Sequence, residues 1–273
     1  MIDANELNLE VIEVLHHVTD VDRAIEFYNG KLGWPIIWQS PGNMAMMDAG
    51  GVYQLTLVGT KSVQDWEEGT PVPPPKLAFE SKNLESDVVI LTGRGLVGIE
   101  LSGDPKEMLY TNFSDTEGIP MMIWQDSEDG PVAQVLKEYE AKGIPDPIYK
   151  QGECIFFVND LEASKDFYIS KFGFEIHEQH GKSFYGLRLN GGPIVGLYKW
   201  TDWWDKPTDE ITEAKVRLFF ECEDCASEHG SQTEAGLNPG QQKSTKDGVL
   251  WFNLDDPDGN RMTFWQFKAE SPA

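Results

Sequence analysis

Residues 14–34 read VLHHVTDVDRAIEFYNGKLGW, and residues 154–174 read CIFFVNDLEASKDFYISKFGF. Each opens as an apolar strand, turns at an aspartate, continues at helical spacing and stops at a glycine. Asp20 and Asp160 have the chemistry of helix N-caps, because a carboxylate there accepts from the free amides of the first turn. Gly33 and Gly173 are placed to end the helices. With the chain shifted by about 140 residues, Phe27-Tyr28 meets Phe167-Tyr168, Lys31 meets Lys171 and Gln39 meets Gln179. One residue further on, SDTEGIPMMIWQ meets DDPDGNRMTFWQ, pairing Gly118 with Gly259 and Trp124-Gln125 with Trp265-Gln266. The chain therefore contains two equivalent halves.

Each half divides again. After the first helix come three short strand patterns, PIIWQ, MAMMDA and VYQLTLVG, then the Pro-rich break GTPVPPP. The strand, helix and strand order resumes at KLAFES, and the second half repeats it from ECIFFVND and from KVRLFFECED. This predicts an α+β fold of four βαβββ modules. The expected modules span residues 1–60, 74–126, 150–200 and 213–268. The expected domains are 1–128 and 150–273, joined by a linker at 129–149, with each domain pairing its two adjacent modules around a groove.

Composition narrows the function. The 273 residues carry 46 Asp+Glu against 22 Lys+Arg, a formal net charge of −24. Such a surface repels phosphate backbones, so no nucleic-acid partner is expected. No apolar run approaches the about 18 residues of a membrane span, and the acidic start MIDANELNLEV has no signal-peptide pattern. No membrane partner and a cytoplasmic location are the expectations. The three cysteines, Cys154, Cys222 and Cys225, do not make a disulfide framework. ECEDC contains C-x-x-C, but without a second pair it reads as a reduced pair at a strand end.

The motif V-x-D-x-x-x-A-x-x-F-Y-x-x-x-L-G at Val18–Gly33, with D-P-D-G-N-x-x-x-F at Asp256–Phe264, resembles the vicinal oxygen chelate superfamily. That family includes glyoxalase I, extradiol dioxygenases and bleomycin-binding proteins, and the resemblance extends over nearly the whole chain in four copies. It implies the fold, and both metal enzymes and pure binders are built on that fold. Family metal enzymes place a His fourteen residues before the helix Phe, which here gives Glu13 and Glu153. Strand alternation then puts Glu13, Leu15 and His17 on one face and His16 on the other. The remaining ligand positions correspond to Gln54, Lys76 and Met122 in the first half, and to Val195, Arg217 and Thr263 in the second. Lys and Arg are cations without an acceptor lone pair, so no metal and no cofactor are expected. Under adjacent pairing, Glu13 would meet Lys76 and Glu153 would meet Arg217 as buried acid–base pairs.

The expected ligand-binding residues are Glu13, His17, Gln54, Lys76, Met122 and Trp124 in one groove. In the other they are Glu153, Phe157, Arg217, Phe219, Thr263 and Trp265. Tryptophan walls with a few polar groups suit a small aromatic or cationic organic molecule. The expected function is metal-free binding of such a molecule, as in bleomycin-resistance-type proteins. The alternative is a lyase, isomerase or dioxygenase of this family, with Glu13, His17 and Lys76 as catalytic candidates or with a non-standard metal site. Whether the chain is an enzyme is left open, as is the choice between monomer and homodimer. The segment YKWTDWWDKPTD, with Trp200, Trp203 and Trp204, reads as a lid or an interface. His177 and His180 in EIHEQHGKS read as a solvated strand end, with adventitious metal binding as the other reading.

Overall fold

The computed structural model describes residues 9–49, 54–60, 74–127, 152–190, 192–202, 216–245 and 248–267, and the side chains of 9–13 fall outside that description. The expected linker at 129–149, with Trp203 and Trp204, also lies outside the described residues.

The expected α+β order of four βαβββ modules is present. The first module is β1 (Leu9–Val18), α1 (Val21–Ile25, continued by a π-helical turn over Glu26–Lys31), β2 (Ile36–Ser40), β3 (Met44–Asp48) and β4 (Gln54–Gly59). The second is β5 (Lys76–Glu80), α2 (Leu84–Gly93), β6 (Ser102–Asp104), β7 (Met108–Ser114) and β8 (Pro120–Asp126). The third is β9 (Gly152–Val158), α3 (Leu161–Phe172), β10 (Glu175–His180), β11 (Phe184–Arg188) and β12 (Ile194–Lys199). The fourth is β13 (Val216–Cys222), α4 (Cys225–Glu234), β14 (Lys243–Ser244), β15 (Val249–Asp255) and β16 (Arg261–Phe267). The strands make two eight-stranded mixed sheets, ordered β14-β15-β16-β13-β1-β4-β3-β2 and β10-β11-β12-β9-β5-β8-β7-β6.

The strand pairing differs from the adjacent pairing expected from short connections. β1 pairs antiparallel with β13, with Glu13 opposite Phe219 and Leu15 opposite Arg217. β5 pairs antiparallel with β9, with Lys76 opposite Ile155 and Ala78 opposite Glu153. First strands therefore join modules one with four and two with three. Connection length does not decide this, because a first strand has a free edge for any other first strand of matching register.

The chain divides into two compact units, each named here by its buried cation. The Lys76 unit comprises His17–Trp66 and Pro75–Ile155. The Arg217 unit comprises Met1–His16, Glu67–Pro74 and Phe156–Ala273.

In the Lys76 unit Asp20 caps α1, its carboxylate accepting from the Arg23 amide at 3.1 Å. Phe27 and Tyr28 turn inward, and Tyr28 stacks on Trp34 at 5.2 Å between ring centroids. The Tyr28 hydroxyl donates to Asp115 Oδ2 at 2.8 Å. Asp115 Oδ1 in turn accepts the amides of Glu117 and Ile119, closing the turn before β8.

The Arg217 unit repeats this device. Asp160 accepts from the Ala163 amide at 3.1 Å, and Gly173 ends α3 at φ 73°, a left-handed conformation that costs glycine little. Leu161, Ser164, Tyr168 and Phe172 form the buried stripe of α3. Tyr168 donates to Asp256 Oδ2 at 3.0 Å, and Asp256 Oδ1 holds the Asp258 and Asn260 amides. Phe220, Phe264 and Phe252 stack in sequence at 4.8 and 5.1 Å beneath the helices. Each such fully buried aromatic contributes about 1.5–3 kcal/mol of burial. Cys222 and Cys225 are free, buried thiols donating to the carbonyls of Trp265 and Phe264.

Replacing Asp20 or Asp160 with Ala should lower unfolding free energy by about 0.5–2 kcal/mol. Urea titrations of the two variants check this. A pH effect should accompany it at Asp256. Burial pushes the Asp256 carboxyl from 3.8 up to about 6, against the donors from Asn260 and Tyr168. A raised folded-state pKa adds stability that is fully present below pH about 4 and is lost as pH rises through about 6. Stability of the parent chain should therefore fall across that window, and Asp256→Asn should flatten this part of the profile.

Candidate functional site

Strand alternation gives each unit one apolar face against its helices and one mixed face. On β13, Val216, Leu218, Phe220 and Cys222 turn to the helix side, while Arg217, Phe219 and Glu221 take the other. Parallel pairing with β16 sets Phe219 beside Thr263 and Glu221 beside Trp265. Antiparallel pairing of β15 with β16 sets Asn253 opposite Thr263 and Trp251 opposite Trp265. Arg217, Phe219, Glu221, Thr263, Trp265, Asn253 and Trp251 thus share the mixed face.

Its polar end is sealed. Arg217 is 2% exposed, and its Nη1 lies 3.5 Å from Asn253 Oδ1. Thr263 Oγ1 donates to the same oxygen at 2.7 Å, so one amide carbonyl receives a cation and a hydroxyl. The other end is open and aromatic. Phe219, Trp251 and Trp265 are half-buried, with the Phe219 and Trp265 rings 6.4 Å apart. The ammonium of Lys243 sits 5.2 Å over the Trp251 ring.

The Lys76 unit has the same plan with different side chains. Lys76, Ala78 and Glu80 are buried on β5, with Ala78 beside Met122 and Glu80 beside Trp124. Asn112 stands opposite Met122, and Tyr110 opposite Trp124. Lys76, also 2% exposed, donates from Nζ to Asn112 Oδ1 at 2.7 Å, reaching across β8. Glu153 is 4% exposed on the neighbouring strand. Because Lys76 faces Ile155 and Glu153 faces Ala78, the two charges are diagonal neighbours. That separation is within reach of long side chains.

The expected acid–base partners are thereby exchanged. Glu153 is set beside Lys76 rather than Arg217, and Glu13 takes a register position diagonal to Arg217 rather than Lys76. The cause is the pairing of first strands, which moves Glu13 onto the partner strand of β13. The side chain of Glu13 is outside the described residues. Gln54 begins β4 half-buried, opposite Asp48. His17 is buried, and so is His16. Val195 is wholly buried and Phe157 nearly so, with the Phe157 ring 5.2 Å from Trp200 in a T-shaped contact.

Asn112, Asn253, Tyr110 and Trp251 are site residues that the motifs alone do not single out. The internal repeat carries a signal for them, since Asn112 aligns with Asn253, and Tyr110 with Trp251, at the same shift that pairs Trp124 with Trp265.

Of the positions expected to correspond to the family's metal ligands, those held by Lys76 and Arg217 do not fit a divalent metal. Lys76 and Arg217 present N–H donors there and no lone pair, and Met122 and Thr263 add no anionic ligand. Among the described residues, no three His, Cys, Asp or Glu side chains gather as a metal group.

Residues 150–264 match the Glyoxalase/Bleomycin resistance protein/Dioxygenase superfamily, and residues 11–50 match the bleomycin resistance protein-like N-terminal family. The chain belongs to the glyoxalase/bleomycin resistance protein/dioxygenase superfamily. Glyoxalase I from Zea mays is similar over 96% of this chain and 94% of its own, with a TM-score of 0.64 and 14% identity, a likeness of fold. A lactoylglutathione lyase from Agrobacterium tumefaciens is similar over 42% of this chain and 90% of its own, at 16% identity and TM-score 0.35. An antibiotic binding protein from Streptomyces sp. is similar over 42% of this chain and 93% of its own, at 26% identity and TM-score 0.34. No curated protein matches the chain in sequence.

If Lys76 and Glu153 meet, Lys76→Met should cost about 3–5 kcal/mol by stranding a buried carboxylate. The double variant Lys76→Met with Glu153→Leu should cost less than the single one. Chemical denaturation of the three variants measures the coupling, and strictly additive losses would show that the charges do not meet.

Proposed function

We propose that the protein binds a small planar aromatic molecule on its mixed sheet faces and does so without a metal. The observation that carries this reading is the cation–amide pair in each unit, Lys76–Asn112 and Arg217–Asn253, with the cation at a position expected to correspond to a family metal ligand. In each unit a buried cation and an amide take the floor of the face. A divalent ion beside either cation would meet repulsion, and neither cation offers it a lone pair.

The rest of the face supports a binder. Phe219, Trp251 and Trp265 offer flat apolar area at the half-exposed end of the Arg217 unit. Tyr110 and Trp124 do so in the Lys76 unit. Such rings hold a planar ligand by stacking and burial, and a few fixed polar groups orient it. Cationic aromatics stay within the proposal because the exposed Glu221 lies next to Trp265 in register.

Calorimetry and tryptophan fluorescence with planar aromatic acids, neutral aromatics and aromatic amines test the proposal. Saturable quenching is expected for at least one class, with affinity unchanged by a chelator. Trp265→Ala should weaken it about tenfold or more, as loss of a central aromatic anchor does. Chelator-sensitive binding, or rapid chemical turnover of a bound compound, would replace this reading with an enzyme.

A further inference from the structure

One part of the Arg217 unit is not used by the mixed face. A cavity of about 170 Å³ lies where α3 ends and β10 meets β11, lined by Gly173, Glu175, Ile176, His177, Arg188 and Asn190. Arg188 Nε is buried there and makes no hydrogen bond. The Arg188 guanidinium also has no ion pair among the described residues, although Glu175 stands opposite it in the strand register. Arg188 is partly exposed, but an Nε–H removed from water without an acceptor is costly, and the planar guanidinium fork matches the geometry of an oxyanion. His177 supplies a second ring donor at the same wall. His177 is exposed on one side; its partial desolvation at the pocket wall, and then the nearby Arg188 charge, hold its pKa below the ordinary value, while Glu178 acts in the opposite direction.

The internal repeat provides a control. At the equivalent shift of 140, Arg188 corresponds to Asp48, His177 to Ile37 and Glu175 to Pro35. The first module builds the same hairpin strands without the cation or the imidazole, so neither is a requirement of the fold. Nor does helix capping account for Arg188, since Gly173 already closes α3 with its own amide bonded to Ile169.

We propose that the Arg188–His177 pocket binds a small oxyanion group, the size of a sulfate, phosphate or carboxylate. The group would accept from the guanidinium fork and from the His177 ring, in a chain whose net charge of −24 otherwise repels anions. A bound anion stabilises imidazolium, so binding should take up a proton at His177 and strengthen as pH falls. Arg188 opposes that proton, whereas Glu178 and the Glu175 carboxylate on the lining favour it.

The test is an NMR titration of the full chain, labelled at histidine, with sulfate at constant ionic strength. Sulfate keeps its charge across the neutral pH range. Sodium chloride is the control, and acetate and inorganic phosphate are run beside it to separate carboxylate from tetrahedral preference. Saturable shifts at the His177 ring are expected, with a higher His177 pKa in the sulfate-saturated protein. Arg188→Met should weaken sulfate binding at least about tenfold, as loss of a charge-assisted bidentate contact does. Arg188→Lys should fall between the two, and it keeps the test available if the Met variant does not fold. Linear shifts matching those in chloride would overturn the proposal. So would sulfate binding of parental strength in a folded Arg188→Met or Arg188→Lys chain.

Discussion

The fold rests on a hydrogen bond made twice, from the tyrosine of each F-Y helix motif to the aspartate that opens the last hairpin turn of the following module. Tyr28 donates to Asp115, and Tyr168 donates to Asp256. Each aspartate also holds two backbone amides of its own turn, so a single buried carboxylate fixes the turn and receives the helix. Further contacts repeat the alignment. Arg23 reaches the Thr116 carbonyl in one unit, and Ser164 reaches the Asp258 carboxylate in the other. A buried carboxylate is tolerated only when donors surround it, which ties the turn sequence to the helix sequence.

Among the described residues, that anchoring holds the helices to one face of each unit's strands and leaves the other face mixed. Every second residue of β5, β8, β13 and β16 is then available for chemistry that the core does not need. On these faces the chain has placed a cation, an amide and aromatic rings. Holding Lys76 and Arg217 out of water is unfavourable unless acceptors meet their N–H groups, and Asn112 and Asn253 supply carbonyl oxygens at matching positions. The two units differ in detail. Arg217, Thr263 and three aromatics make the stronger polar and aromatic contrast, whereas the Lys76 unit sets Met122 and Ala78 in the equivalent places.

Much of this architecture is legible in the amino-acid sequence. The repeat identifies the four modules, the Asp caps at 20 and 160, the glycine stops and the face shared by Arg217, Phe219, Thr263 and Trp265. Those features depend on local propensity and on a strand period of two, which a sequence expresses directly. Asn112 and Asn253 stand in the same internal alignment. They do not announce themselves there, because an isolated Asn on a strand has no chemical signature until a cation is found across from it.

The sequence by itself determined the modules, their helices and turns, and the presence of the cations Lys76 and Arg217 on two of the first strands. Tertiary structure alone decided which first strands pair, and so that Glu153 neighbours Lys76 while the position of Glu13 neighbours that of Arg217. The reason is physical. Strand pairing joins edges far apart in the chain, and four similar first strands offer several registers of comparable local quality. Only the packing of complete modules selects among them.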